Sequence, residues 1–271
     1  MLNLIQGLSD AGSDVNEDML WLWGHDAALL DGASSLGSDD HDAVEFVTEF
    51  LGRYAEATAN RRRPLHECIN AALDAVREEF DFRHYASGMP PSASAVFVRS
   101  QKGMLCLALI GDCTAIAYGR DGTTRRFHDG EVGRFDAEVI ATARHISERD
   151  GICLREAIST AEVRERLVAN RHMMNKDGGY RILAANMRPV EEMDILRIPE
   201  EGLDALLLHS DGFDAMGERL LRRSFDLAGL CAELREVERT DRDFSLMPRF
   251  KPHDDASALL LGVGEEQSRG E

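Results

Sequence analysis

The sequence contains no apolar run that approaches the ~20 residues of a membrane-spanning helix. Its first seven residues, MLNLIQG, lack both the basic start and the sustained apolar stretch of an export signal. Basic residues are also in short supply, because 31 Lys and Arg stand against 49 Asp and Glu, which gives a formal net charge of −18. Such a charge repels nucleic acid and anionic membranes, so we expect neither as a partner.

Cysteines do not form a recognisable framework. The chain has five of them, widely spaced and without a C-x-x-C pair, which disfavours both a set of disulfides and a structural zinc site. This pattern favours a reducing compartment. Hydrophobic residues make up 44% of the 271 residues, which is enough to fill a substantial core. We therefore expect a folded cytoplasmic protein.

Apolar periodicity predicts strands and helices that come in groups. Strands are predicted at 20–23, 27–30, 93–99, 104–110, 114–118, 180–184, 193–198, 206–209 and 256–263. Helices are predicted at 42–57 and 64–80, in a less regular region at 137–170, and at 218–237. Grouped strands separated by paired helices favour an α+β layered sandwich over a doubly wound parallel sheet.

Aspartates stand where three apolar strands begin or end. Asp31 and Asp211 each follow a strand and precede a glycine, and Asp254 lies just before the last strand. A carboxylate at the mouth of a buried strand is unfavourable unless a cation or hydrogen-bond donors compensate it, and no lysine or arginine flanks these three. Each Asp-Gly taken alone is best explained as an ordinary turn. Three together, with the Asn-Glu-Asp run at 16–18, favour hard cations with oxygen ligands.

Six short motifs follow one another along the chain. They are Asn16-Glu17-Asp18, Asp31-Gly32, Ser92-Ala93-Ser94-Ala95, Gly111-Asp112, Ser210-Asp211-Gly212 and Asp254-Asp255-Ala256-Ser257. In sequence and spacing they resemble the successive signatures of the protein phosphatase 2C family of metal-dependent serine/threonine phosphatases, from about residue 10 to about residue 263. The resemblance implies a four-layer α-β-β-α sandwich, in which helix pairs flank two central antiparallel sheets.

The resemblance also implies two divalent cations, Mn or Mg, at one edge of the sandwich. Asp31 would bridge the two cations. Glu17 and the carbonyl group of Gly32 would bind one of them. Asp211 and Asp254 would bind the other. A water molecule shared by the two metals would attack phosphorus directly, so that no phosphoenzyme forms.

Two further carboxylates have roles implied by the family. Asp18 would orient water molecules from a position behind the ligands. A third, looser metal lies at the family's Gly-Asp motif, here Asp112, and the usual second carboxylate of that site falls at Ala215. Residues 1–264 would form a single domain, with 137–180 as the helical and flap insertion of bacterial members and 265–271 as a polar tail.

The sequence departs from the family pattern at two positions. Ser13 stands where members usually carry a phosphate-binding arginine, and Ala33 where many carry the histidine that protonates the leaving group. The expected function is hydrolysis of phosphoserine or phosphothreonine in a phosphorylated protein substrate. The two departures leave open a phosphatase-like binding or regulatory module with little or no turnover. An unrelated calcium-binding protein is less favoured, because the sequence has no closely spaced EF-hand ligands.

Overall fold

The chain folds around two antiparallel sheets of five strands each. The computed structural model describes residues 1–34, 42–79 and 90–264. The first sheet consists, in spatial order, of β1 (Leu2–Asp10), β10 (Ala256–Val263), β9 (Leu203–His209), β6 (Thr114–Gly119) and β7 (Thr124–Phe127). The second sheet consists of β2 (Asp18–Trp23), β3 (Asp26–Ala33), β4 (Ser92–Gln101), β5 (Met104–Ile110) and β8 (Leu196–Pro199).

The described helices fall into three groups along the chain. They are α1 (Asp42–Thr58) and α2 (Leu65–Glu79), then α3 (Glu131–Asp150), α4 (Leu154–Ile158) and α5 (Ala161–Arg171), and finally α6 (Gly217–Leu220) and α7 (Leu227–Thr240). Short 3-10 helices occur at Glu192–Asp194 and Asp211–Met216. In the described part of the chain, no helix is both long enough and apolar enough to cross a bilayer.

Apolar side chains form three layers that stack the elements in the order α-β-β-α. Between the sheets, Leu29 of β3 and Leu208 of β9 belong to one buried cluster. On the outer face of the second sheet, Phe97 packs against Phe50 of α1 with ring centroids 5.8 Å apart. On the outer face of the first sheet, Leu207 packs with the buried side of α7. Full burial of each such side chain contributes roughly 1.5–3 kcal/mol. The four-layer sandwich predicted from the family resemblance is confirmed.

The middle group of helices has its own apolar cluster. Ile146 of α3 and Val163 of α5 pack there with Phe244. The side-chain amide of Asn170, near the end of α5, donates to the carbonyl oxygen of Phe135 at 3.1 Å. These contacts hold α5 in a fixed position against α3. The group begins at residue 131, earlier than the predicted 137.

The sequence-based prediction missed two strands and placed one where the structure has none. It missed β1, an edge strand whose side chains are mostly exposed and which pairs with β10 from the other end of the chain. It also missed the short charged strand β7. The segment 180–184, predicted as a strand, instead makes two isolated bridges, between Leu183 and Ala93 and between Tyr180 and Met174.

The helix predicted at 218–237 is broken into α6 and α7. Arg223, between them, has a φ of +54°, a left-handed conformation that no helix continues through. Asp226 then caps α7 by accepting a hydrogen bond from the backbone N–H of Gly229 at 2.9 Å. The end of the predicted helix 64–80 and the tail 265–271 lie outside the described residues.

A buried ion pair joins β3 to β4. Nε of Arg99 lies 2.5 Å from Oδ1 of Asp26, directly across the strand ladder, and only 3% and 8% of the two side chains are exposed. The guanidinium of Arg99 also donates to the carbonyl oxygen of Arg63. Because both charges are desolvated, each depends on the other for compensation.

Replacing Arg99 with alanine should therefore lower the free energy of unfolding by about 3–5 kcal/mol, since the Asp26 carboxylate loses its partner. The control Arg239→Ala removes an exposed pair with Glu236 and should change stability by less than about 1 kcal/mol. Urea denaturation measures both variants. Equal losses in the two would show that burial of the first pair has no energetic consequence.

Candidate active site

Antiparallel pairing brings several strand ends together at one end of the sandwich. There β3 ends and β2 begins, so that Asp18 and Asp31 are direct partners across the ladder. Asp31 is on the same strand face as Leu29, which packs between the two sheets. The strand register therefore directs the Asp31 side chain toward the space between the sheets.

The first sheet supplies the facing side chains. Asp211 follows β9 and Asp254 precedes β10, and these two strands pair antiparallel. Asp112 lies in the connection that crosses from β5 of the second sheet to β6 of the first. A cleft of about 370 Å³ opens here, which we name the acidic cleft. Its lining includes Glu17, Asp31, Gly32, Asp112, Asp211 and Asp254.

The carboxylates line the same cleft but do not converge on one position where a cation could be coordinated. Asp31 and Asp211 line the cleft from opposite sheets. Within residues 1–34, 42–79 and 90–264, no three Asp, Glu, His or Cys side chains are arranged closely enough to hold a cation as they stand. The structure thus brings the predicted ligands to one cleft but does not set them in a finished coordination sphere.

Desolvation and crowding raise the pKa values of the cleft carboxyl groups. Loss of solvent raises the pKa of Asp31 well above its usual value, and the negative charges of Asp18 and Asp211 raise it further. Desolvation also raises the pKa of Asp211, with Asp112 and Asp254 contributing. A cation among these groups would relieve the repulsion. Because the donors are all oxygen atoms, the set fits a hard divalent cation.

Asp18 lies behind the acidic cleft and connects the two sheets. Only 6% of the residue is exposed, and its Oδ2 accepts a hydrogen bond from Oγ of Ser210 at 2.9 Å. Desolvation raises the pKa of Asp18 to about 6, although hydrogen bonds from Ser257 and Ser210 lower it. Its Oδ1 has no hydrogen-bond partner among the described residues. A buried oxygen in this state can accept a hydrogen bond from a bound water molecule.

Close backbone approaches fix the loops that carry the cleft. The carboxylate of Asp255 accepts hydrogen bonds from the backbone N–H groups of Gly12 and Glu17, at 2.8 and 2.7 Å. A Cβ atom at Gly32 would lie 2.6 Å from the carbonyl oxygen of Glu17, and one at Gly212 would lie 2.0 Å from that of Asp255. Backbone packing therefore requires a glycine after Asp31 and after Asp211, in addition to any preference of glycine for turns.

Lys251 corrects an expectation from the sequence. No lysine or arginine lies directly beside the three strand-end aspartates in sequence, yet Nζ of Lys251, three residues before Asp254, lies 2.6 Å from Oδ1 of Asp254. The side chains of this pair are 54% and 35% exposed, so water screens the attraction and the ion pair contributes little to stability. One predicted ligand thus has a cationic partner.

Sequence reasoning missed several residues of the cleft. Oγ of Ser94 accepts a hydrogen bond from the backbone N–H of Asp112 at 3.2 Å, and a Cβ atom at Gly111 would lie 2.3 Å from the same oxygen. Asp136, on α3, lines the cleft as well. Desolvation raises the pKa of Asp136 to about 7, Asp112 contributes, and Arg171 lowers it. The Ser-Ala-Ser-Ala motif could have identified Ser94 as a residue of the cleft, whereas no sequence motif marks Asp136 on α3.

The two departures from the family pattern are visible in the structure. Ser13 lies in an exposed loop, where its Oγ donates to the carbonyl oxygen of Val15 at 3.0 Å. Ala33 lines the acidic cleft but has no proton to give. His209, at the end of β9, is buried, and its Nδ1 lies 2.9 Å from the carbonyl oxygen of Ser210. Because burial lowers the pKa of His209 to about 4, the ring is neutral at physiological pH.

Solved structures with a similar fold are bacterial serine/threonine phosphatases. Mycobacterium tuberculosis PstP matches with a TM-score of 0.59 at 17% identity, over 97% of this chain and 99% of that chain. The PstP catalytic domain in complex with two manganese ions matches with a TM-score of 0.58 at 17% identity, over the same shares of 97% and 99%. Stp1 from Staphylococcus aureus matches with a TM-score of 0.52 at 17% identity, over 97% and 96%. These likenesses establish the fold.

No curated protein matches this chain significantly. The family model described as Protein phosphatase 2C matches residues 10–247, which is most of the sequence. This range includes the first five of the six motifs, and the match agrees with the sandwich of two antiparallel sheets. The chain belongs to the protein phosphatase 2C family, whose members are metal-dependent serine/threonine phosphatases.

Proposed function

We propose that this chain hydrolyses phosphoserine or phosphothreonine in proteins, with two divalent cations, Mn or Mg, in the acidic cleft. The observation that carries the proposal is the set of desolvated, mutually repelling carboxyl groups drawn from both sheets, with raised pKa values at Asp31 and Asp211. Bound cations neutralise such a set, which would otherwise repel a phosphate group. The complex of the PstP catalytic domain with two manganese ions, in the same fold, supports this choice.

The proposed ligands are those expected from the family resemblance. Asp31, between the two sheets, would bridge the cations. Glu17 and the carbonyl group of Gly32 would bind one cation, and their positions are linked by the hydrogen bond from Gly32 N–H to the Glu17 carbonyl oxygen. Asp211 and Asp254 would bind the other. When bound, the two cations lower the pKa of a water molecule and so supply the nucleophile for in-line attack on phosphorus.

Other residues of the chain would hold water and ligands in place. Asp18 would position water through its open Oδ1, while Ser210 holds its other oxygen. Ser34 donates a hydrogen bond to the Glu17 carboxylate and so fixes its orientation. Asp112 would contribute to a third, looser cation site. Because Ala33 has no proton to donate, the leaving alkoxide would take one from water or from another group in the cleft.

We place these residues in one domain of residues 1–264, with 137–180 as an inserted helical and flap region. A phosphorylated protein is the proposed substrate. From the net charge we predict no nucleic-acid or membrane partner. From the cysteine pattern we predict a cytoplasmic location. The family match and the acidic cleft do not favour the alternative of a phosphatase-like binding or regulatory module.

Two substitutions test the proposed metal ligands. Asp31→Asn and Asp211→Asn should each lower Mn-dependent hydrolysis of an aryl phosphate by at least about 1,000-fold, because each removes a charged ligand. The matched control Asp74→Asn changes an exposed carboxylate that pairs with Arg77 on α2 and should leave turnover within about twofold. Without added Mn or Mg, the purified protein should be inactive. Metal-independent turnover that survives both substitutions would rule out the mechanism.

The raised pKa values predict a pH dependence of metal binding. Without metal, Asp18 titrates at about 6 and Asp136 at about 7, whereas a carboxyl group in the unfolded chain has a pKa of about 3.9. Between the unfolded pKa and the folded pKa of each group, the folded state binds more protons than the unfolded state. The free energy of unfolding of the metal-free protein therefore falls as the pH rises through this range. Cations would compete directly with the protons of the ligands Asp31 and Asp211, whose pKa values are also raised, and their charge would favour the ionised forms of Asp18 and Asp136 nearby. They should therefore bind better at the higher pH.

Added Mn should accordingly raise the melting temperature little at about pH 5 and much more at about pH 7.5. At a concentration 100-fold above Kd the gain in unfolding free energy would be about 2.7 kcal/mol. Thermal denaturation with and without Mn measures the effect, and the Asp31→Asn variant should lose most of it. A gain of equal size at both pH values would contradict the assignment of the binding groups.

A further inference from the structure

Arg171 lines the acidic cleft, and no described carboxylate forms an ion pair with it, although its charge lowers the pKa of Asp136. It lines the cleft from the end of α5, and Lys251 lines it from the loop before β10. Lys251 is already engaged with Asp254. Within the described ranges, the hydrogen bonds of the Arg171 guanidinium all go to neutral atoms, and no carboxylate lies within ion-pairing distance. Its positive charge is therefore available to an anion that enters the cleft.

Hydrogen bonds hold this guanidinium at the wall of the cleft. Nη1 donates to Oγ of Ser92 at 2.9 Å, and Nη2 donates to the carbonyl oxygen of Ser34 at 3.3 Å. A weaker contact joins Nη1 to Sδ of Met174 at 3.9 Å. A guanidinium has more N–H donors than these three contacts use, so donors remain for another acceptor. Ser34 follows β3 and Ser92 begins β4, and these adjacent strand ends also carry Asp31.

The backbone that carries Arg171 is fixed as well. The preceding residue, Asn170, is buried and donates to the carbonyl oxygen of Phe135 on α3. Leu167, one turn earlier on α5, lines the same cleft. The loop around Ser13, at the position of the family's arginine, has no lysine or arginine between residues 11 and 17, and the Ser13 side chain bonds within that loop. The helical insertion thus supplies the guanidinium that the N-terminal loop lacks.

We propose that Arg171 binds the phosphate group of the substrate through its guanidinium. A guanidinium matches two phosphate oxygens with two parallel N–H donors, which fixes the orientation of the group as well as its charge. The inference rests on the proposed function, because it places the substrate phosphate in the acidic cleft. It makes Arg171 a substrate-binding residue and gives α5 a direct part in the reaction.

Binding of inorganic phosphate to the Mn-loaded protein tests this proposal without turnover. Isothermal titration calorimetry should show that Arg171→Ala raises the Kd for phosphate roughly 10- to 100-fold, because charge-assisted hydrogen bonds are lost. Arg171→Lys keeps the charge but loses the paired donors, so its Kd should rise less. The control Arg164→Ala, at an exposed position of the same helix, should stay within about twofold. The Kd for Mn should be the same in every variant.

Hydrolysis of an aryl phosphate separates this inference from the proposed function. Arg171→Ala should raise KM more than it lowers kcat, because the phosphate is bound in both the ground state and the transition state. If phosphate binds equally to the wild type and Arg171→Ala, or does not bind to the wild type, the inference is wrong, whatever the turnover. If binding weakens but the wild type shows no Mn-dependent turnover, the proposed function fails and the inference stands.

Circular dichroism and thermal denaturation would show whether Arg171→Ala is folded. If it is not, Arg171→Lys decides the question. A raised Kd for phosphate in the folded lysine variant would support the inference, and a Kd equal to that of the wild type would overturn it.

Discussion

Carboxyl groups from two sheets are desolvated together at one end of a rigid sandwich, and the chemistry of this protein depends on that constraint. Asp18 and Asp31 pair across the second sheet, while Asp211 and Asp254 adjoin the facing strands of the first. Apolar layers on both sides of each sheet hold the strand ends in position. Desolvation raises the pKa values of Asp31 and Asp211, and repulsion among the carboxylates raises them further. Both effects favour a bound cation.

The parts of this arrangement that the sequence predicted are those with a local signal. Each predicted ligand adjoins an apolar strand, and antiparallel strands that come in groups place their ends at a shared edge. The glycines after Asp31 and Asp211 signalled turns, although their main function is to let two backbones approach closely. The sandwich and its acidic edge therefore follow from strand patterns and from the order of the motifs.

The parts that escaped prediction depend on contacts between distant segments. The edge strand β1 has a mostly exposed surface and is defined by pairing with β10, so its own sequence hardly marks it. The break at Arg223 comes from a single left-handed residue. Lys251 and Arg171 reach the cleft from a loop and from the end of a helix, where a basic residue usually means a solvated surface. Only the folded chain shows that both line the acidic cleft.

A crystal structure of the protein grown with Mn, with anomalous diffraction measured at the Mn edge, would show whether the acidic cleft binds two cations. We expect two anomalous peaks in the acidic cleft, with Asp31 in contact with both and the Lys251 to Asp254 ion pair broken. A cleft that takes up no Mn, with its carboxylates hydrogen-bonded to one another or paired with Lys251, would contradict this expectation.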